Sequence, residues 1–143
     1  MAYCTLSDLL KIAPESDLIE LTGDAEPGVI DTDVVDEYIA DAGALIDGYL
    51  RGKYALPLSP VPSLLKSLCR DITVYELYSR RMKLKAPEAL KERRDGAIKI
   101  LESIQKGTIT LGVTDPASTT PSSGSVKISA EDRIFSRDTL ENF

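Results

Sequence analysis

The sequence predicts a mainly α-helical fold: a small helical domain over residues 1–106, a strand and flexible linker over 107–125, and a docking tail over 126–143. Three observations lead there. Three long segments repeat apolar residues at the 3.6-residue spacing of an amphipathic helix. Proline opens two of them (Pro62, Pro87) and glycine closes two (Gly52, Gly107), as helix ends require. The composition then shifts at Thr114–Ser125 (TDPASTTPSSGS), which cannot build a core.

Taken in order, Thr5-Leu6-Ser7-Asp8 reads as a capping box, in which the Thr5 hydroxyl takes an orphan amide and the acid three residues on is favoured by the helix dipole. A short helix through Ile12 follows and ends near Pro14. Ser16–Thr22 is too short for periodicity to decide between helix and extended chain. Gly23–Thr32 is a loop rich in Gly, Pro and Asp.

The first long helix is expected over Asp33–Arg51, with Thr32 as N-cap. Val35, Tyr38, Ile39, Ala42, Leu45, Ile46, Tyr49 and Leu50 share its inner face, and Asp36, Glu37, Asp41 and Asp47 form an acidic back. Gly43 and Gly48 each weaken it by about 1 kcal/mol relative to Ala; Gly48 marks either close approach by another backbone or a tolerated weak spot. Tyr54–Pro62 (YALPLSPVP) is an extended connector, because each proline removes a donor and biases its predecessor away from helix.

The second long helix, Pro62–Lys83, has the stripe Leu64, Leu65, Leu68, Ile72, Tyr75 and Ser79. Val74 and Leu77 fall well off it, which makes them a candidate subunit interface. The third helix runs from Pro87 to Lys106 with Leu90, Ala97, Ile98, Leu101 and Ile104 inward. Thr108–Val113 and Val126–Ser129 alternate as short strands, free to pair with each other or with a neighbour's sheet.

Beyond the linker, Ile134, Phe135, Leu140 and Phe143 are apolar in a segment that would normally shed such residues. The economical reading is a partner-docking tail, with these as anchors and Arg137 and Asp138 fixing orientation through charged hydrogen bonds. Folding back onto its own domain is the alternative.

Charge is distributed unevenly along the chain, whose net charge is −6. Residues 1–50 hold twelve acids and one base, whereas residues 51–110 hold thirteen bases and six acids. Oppositely charged faces favour head-to-tail contacts, and such contacts close into rings; pairing of the two halves inside one chain is the competing reading. Arg80, Arg81, Lys83, Lys85, Lys91, Arg93 and Arg94 form a basic 80–94 region that could serve a DNA-binding accessory protein. Against that reading stand the acidic balance and a sequence pI near 4.7.

The chain has no histidine, hence neither the commonest general base nor the commonest metal ligand. Asp31 and Asp33 sit where a helix entrance favours acids, and no phosphate-cradling glycine loop appears. The expectation is a non-enzyme with no catalytic residue, metal or cofactor. Cys4 and Cys69 lack any CxxC spacing and read as two free thiols. No apolar run suggests a membrane span or secretory leader, which points to a cytosol-like compartment.

Several stretches carry a family resemblance: Tyr3-x-Thr5 with Asp8-Leu9, Leu18-Ile19-Glu20-Leu21-Thr22, Ala44-Leu45-Ile46-Asp47-Gly48-Tyr49-Leu50, Tyr54-Ala55-Leu56-Pro57-Leu58, Cys69-Arg70-Asp71-Ile72 with Tyr75-Glu76-Leu77, and Phe135-Ser136-Arg137-Asp138-Thr139-Leu140. In this order the chain resembles the small head-tail joining proteins of Mu-like phages and prophages. That family is similar in size and helical pattern to the connectors of long-tailed phages. The resemblance implies a structural virion protein at the head-tail junction, assembled in the host cytoplasm as a homo-oligomeric ring, a dodecamer by analogy. Its implied partners are the portal protein and a tail-side completion protein, with double-stranded DNA passing through unbound. An acidic lumen would repel phosphates, and Asp36, Glu37 and Asp41 are the candidate lining.

Overall fold

The computed structural model describes residues 2–23, 26–81 and 85–113. Five helices follow one another: α1 (Leu6–Leu9), α2 (Glu15–Thr22), α3 (Thr32–Leu50), α4 (Ser63–Arg80) and α5 (Glu88–Lys106). The long helices α3, α4 and α5 pack on one another as a bundle, and α1 and α2 lie across α3 and α4. The helical fold class is therefore observed, and Glu15–Thr22 is helical rather than extended.

Each boundary has a local cause. At α1 the capping box forms as expected, Thr5 amide to Asp8 carboxylate at 3.1 Å and Thr5 hydroxyl to the same oxygen at 3.0 Å. The chain leaves α1 in a further turn and enters α2 behind Pro14. The cap of α3 is Asp31 rather than Thr32: its carboxylate accepts from the amides of Asp33 at 3.1 Å and Val34 at 3.3 Å. A carboxylate at this position also answers the helix dipole, which a hydroxyl does not, so Thr32 becomes the first helical residue. Pro62 and Pro87 immediately precede α4 and α5.

The core joins Leu9, Leu18 and Leu21 of the N-terminal helices to Val35, Ile39, Ile46 and Leu50 of α3. Leu65, Leu68 and Ile72 of α4, with Ala97, Leu101 and Ile104 of α5, complete it. Buried Ala42 and Gly43 keep the middle of α3 slim, whereas no backbone of the described residues approaches Gly48.

Val74 and Leu77 are fully buried, and this corrects their reading as a subunit interface. On the helical wheel they lie roughly 140–160° from Ile72. Tyr78 and Arg81, on the same side of the helix, bond to Asp17 and to the Leu21 carbonyl, so that side is the one α2 covers. A helix enclosed on two sides carries apolar residues on both, and its second stripe looks in sequence like an exposed patch.

The Thr108–Val113 segment is also corrected. Among the described residues there is no strand. Its alternation does have a physical basis, because Ile109, Leu111 and Val113 pack against the core while Thr108, Thr110 and Gly112 are exposed. The Leu111 amide donates to the Tyr54 hydroxyl at 3.1 Å instead of to a neighbouring strand. The other expected strand, Val126–Ser129, lies outside the described residues. So do the tail residues Ile134, Phe135, Arg137, Asp138, Leu140 and Phe143.

Gly107 ends α5 with φ +82, its amide bonded to Ile104 and that of Thr108 to Ser103. A Cβ there would lie 2.0 Å from Lys53 Nζ. The lysine can swing away, but the left-handed backbone cannot relax without losing both hydrogen bonds.

Two substitutions test this packing. Leu77→Ala should lower stability by about 3 kcal/mol, the cost of emptying a core site, whereas loss of a subunit contact would leave monomer stability unchanged in a urea titration. Gly107→Ala should cost about 1–2 kcal/mol by the same measurement, from the left-handed conformation alone.

Candidate functional site

The most distinctive surface is built on α3 and its neighbours. Burial of Val35, Ile39, Ala42, Ile46 and Leu50 fixes the rotation of α3, which turns Asp36, Glu37 and Asp41 outward; all three are exposed. Leu45, expected on the inner face, is 40% exposed. It rims a shallow groove of about 150 Å³ between α3 and α4, lined by Tyr38, Asp41, Ala42, Leu45, Ile72 and Glu76. An apolar floor with carboxylates at its edge suits an apolar side chain delivered with a basic neighbour.

Beyond the groove, α4 and α5 meet along a ridge of mixed charge. The Arg94 guanidinium lies 5.6 Å from the Tyr75 ring centroid and 4.0 Å from Glu76. Asp71 lies 3.5 Å from Arg70 and 3.9 Å from Arg93. Arg70 Nε, Asp71 Oδ1 and Arg94 Nε are buried atoms without a hydrogen bond, so charge attraction supplements the bond that Arg94 Nη1 donates to Asp95 at 3.3 Å. Exposed Lys91, Arg93 and Lys99 lie on α5. The surface thus passes from acidic on α3 through mixed on α4 to more basic on α5.

Of the basic 80–94 region Lys83 lies outside the described residues, and the fold gives the arginines separate partners. Arg80 Nη1 and Arg81 Nε donate to the Leu21 carbonyl at 2.9 and 3.3 Å, closing the end of α2. Lys91 pairs with Glu88, and Arg93 and Arg94 reach Asp71, Glu76 and Asp95. These arginines are positioned by the protein's own acceptors, which a continuous phosphate-binding strip would not require.

Two acids of the first half are likewise internal partners. Tyr3 donates its hydroxyl to Asp47, and Tyr78 donates to Asp17 at 2.7 Å. Burial, then the bond to Asp17 and the charges of Asp17 and Glu20, push the Tyr78 phenol up to about 12. Burial and Asp47 push the Tyr3 phenol up as well. Thr22 joins α2 to α3, donating to the Leu18 carbonyl at 2.7 Å while accepting from the Asp31 amide at 3.0 Å. The halves of the chain therefore meet through burial, through the Tyr3 and Tyr78 hydroxyls and through the Arg80 and Arg81 guanidinium donors to the Leu21 carbonyl, and the ion pairs named above stay within their own half.

An open cleft of about 470 Å³ lies at the end of α3 against the proline connector, lined by Asp47, Arg51, Tyr54, Leu56 and Pro57. Asp47 and Tyr54 both have partners inside the chain. Among the described residues no cluster of His, Cys, Asp or Glu is placed to hold a metal ion, and no helix is long and apolar enough to cross a membrane.

The model of the family described as "Bacteriophage Mu, Gp36" matches residues 3–130, which takes in all five helices. The chain belongs to this family. It is 29% identical over 141 residues to "Mu-like prophage FluMu protein gp36" of Haemophilus influenzae, covering 99% of this chain and 97% of that protein. It is 30% identical over 142 residues to "Gene product J" of Escherichia phage Mu, covering 96% of each. The Mu-like resemblance read from Tyr3 to Leu140 thus holds. The matched family region stops before Ile134, so all six candidate docking residues of the tail lie beyond it.

Sequence reasoning missed the Asp31 cap, the Leu45 groove and the arginine contacts to Leu21. Only the first had a sequence signal, an Asp just before the apolar repeat; the others need the helices placed against one another.

The Tyr78–Asp17 contact gives a pH prediction. Because the folded phenol titrates at about 12 against an ordinary 10.0, its stabilisation is complete below pH 10 and is lost as pH rises toward 12. Tyr78→Phe should be less stable at neutral pH by about 1 kcal/mol. Its stability should also fall less steeply over that alkaline range in urea titrations at stepped pH.

Proposed function

We propose that this chain is a structural virion protein: a head-tail connector that assembles as a ring on the portal, joins it to the tail and helps complete the DNA-filled head. Membership of a phage Mu family supports the setting. The observation that carries the finer reading is the outward acidic face of α3, Asp36, Glu37 and Asp41 together on a rigid helix of nineteen residues. A helix of that length spans roughly 28 Å. Repeated around a ring, it would line a channel with carboxylates that keep DNA moving without adhesion.

The rest of the surface fits the same work. The α3–α4 groove and the mixed ridge offer contacts of opposite sign on different sides of one subunit, as a heterologous ring contact requires. The tail, with Ile134, Phe135, Leu140 and Phe143 as anchors and Arg137 and Asp138 as orienting charges, would reach the portal, a tail-side completion protein or the next subunit. The proposed mechanism is mechanical, by shape and burial, with no catalytic residue or cofactor engaged. The place of action is the head-tail junction, reached by assembly in the host cytoplasm.

A truncation after Ser125 tests the reading. The shortened protein should keep the helical circular dichroism and cooperative melting of the full chain, yet be absent from particles made in a complementation assay and leave infectivity reduced by orders of magnitude. Normal infectivity with the truncated protein would remove the tail from the mechanism. Charge reversal of Asp36, Glu37 and Asp41 to Lys should leave incorporation intact but slow DNA passage, read as packaged or ejected DNA per particle.

A further inference from the structure

The two cysteines, 65 positions apart in sequence, are brought together in the core, with Cys4 Sγ 3.2 Å from Cys69 Sγ. Both are buried and both are free thiols. Their carriers are anchored on either side. Tyr3 bonds to Asp47 of α3, Thr5 caps α1, and Cys69 lies inside α4, where Thr73 bonds back to the Cys69 carbonyl at 2.8 Å. Little chain movement separates this arrangement from a covalent bond.

We propose that Cys4 and Cys69 form a latent disulfide site, oxidised by a small-molecule disulfide, which locks the N-terminal segment onto α4. The inference is independent of the connector reading. The Cys69 thiolate attacks one sulfur of the reagent RS–SR and expels RS⁻, leaving a mixed disulfide on Cys69. The Cys4 thiolate then attacks the Cys69 sulfur and expels the second RS⁻. The two thiols have lost two protons and two electrons, and the reagent has become two molecules of RSH.

Local chemistry favours Cys69 as the first nucleophile. The Cys4 thiol donates to it at 3.2 Å, and that bond, with smaller contributions from the Thr73 hydroxyl and the backbone of Tyr3 and Cys4, holds the Cys69 thiol below its ordinary value despite burial. Cys4, as the donor and buried, is pushed up. Neither sulfur faces solvent, so exchange requires the first few residues to lift from α4, the kind of local opening that chain ends undergo. Once formed, the bond prevents that opening and closes a long loop in the unfolded chain.

The test uses the full-length protein, purified reduced and incubated with excess oxidised glutathione, then unfolded in an alkylating agent. The expected intact mass is that of the reduced chain less two hydrogen atoms, with neither thiol alkylated. A non-reducing tryptic digest should join residues 1–11 to residues 67–70. The melting midpoint should rise by on the order of 10 °C and return on treatment with a dithiol. Cys4→Ser should form no such bond and show no such rise; if that variant does not fold, the wild-type mass still decides. Two alkylated thiols, glutathione adducts that persist, or disulfides only between chains would each overturn the proposal.

Discussion

Helix α4 is enclosed on two sides, and most of the architecture follows from that enclosure. Its Leu65–Leu68–Ile72 stripe and its Val74–Leu77 stripe are both buried, so the helix has little apolar surface left for any partner. Enclosure also dictates what polar groups it tolerates: Thr73 is fully buried, and its hydroxyl is satisfied by the carbonyl one turn back. Of α4, Ser63, Lys66 and Ser79 are exposed, and Tyr75 and Glu76 are half-buried. Among the described residues, the back of α3, the groove beside Leu45 and the ridge shared with α5 offer further surface.

The N-terminal helices hold their position through a small set of directional bonds rather than through area alone. A four-residue helix and an eight-residue helix are too short to persist by themselves. Thr22 links α2 to α3, Tyr78 links α2 to α4, and two arginines close the carbonyl end of α2. These bonds engage some of the charge that the sequence concentrates in its two halves. What remains outward is more specific than net charge suggests: carboxylates on α3, and arginines and lysines on α5 interleaved with acids.

Under the proposed connector role the protein would act through surface shape and placement of charge, which needs no compact chemical motif. The family match spans residues 3–130 and takes in all five helices. Tyr3, Leu18, Leu50, Tyr54, Cys69 and Ile72 all belong to the core. The residues proposed for contact with partners are, by contrast, exposed acids or lie past the family's common region.

The sequence by itself determined the helical class, the three long helices to within a residue except at the end of α4, expected to reach Lys83 but ending at Arg80, the capping box at Thr5 and the proline connector, because these depend on neighbours within a few positions. It determined the relationship to Mu-like phage proteins for the same reason: ordered local stretches survive without knowledge of the fold. Tertiary structure alone decided which side of a helix is doubly covered, and so placed Val74 and Leu77 in the core. It turned Leu45 outward and left Thr108–Val113 as an irregular, bent segment against Tyr54 instead of a strand. Tertiary structure also set Cys4 beside Cys69. Periodicity reports how a residue relates to its own helix, and only packing reports how many neighbours that helix must satisfy.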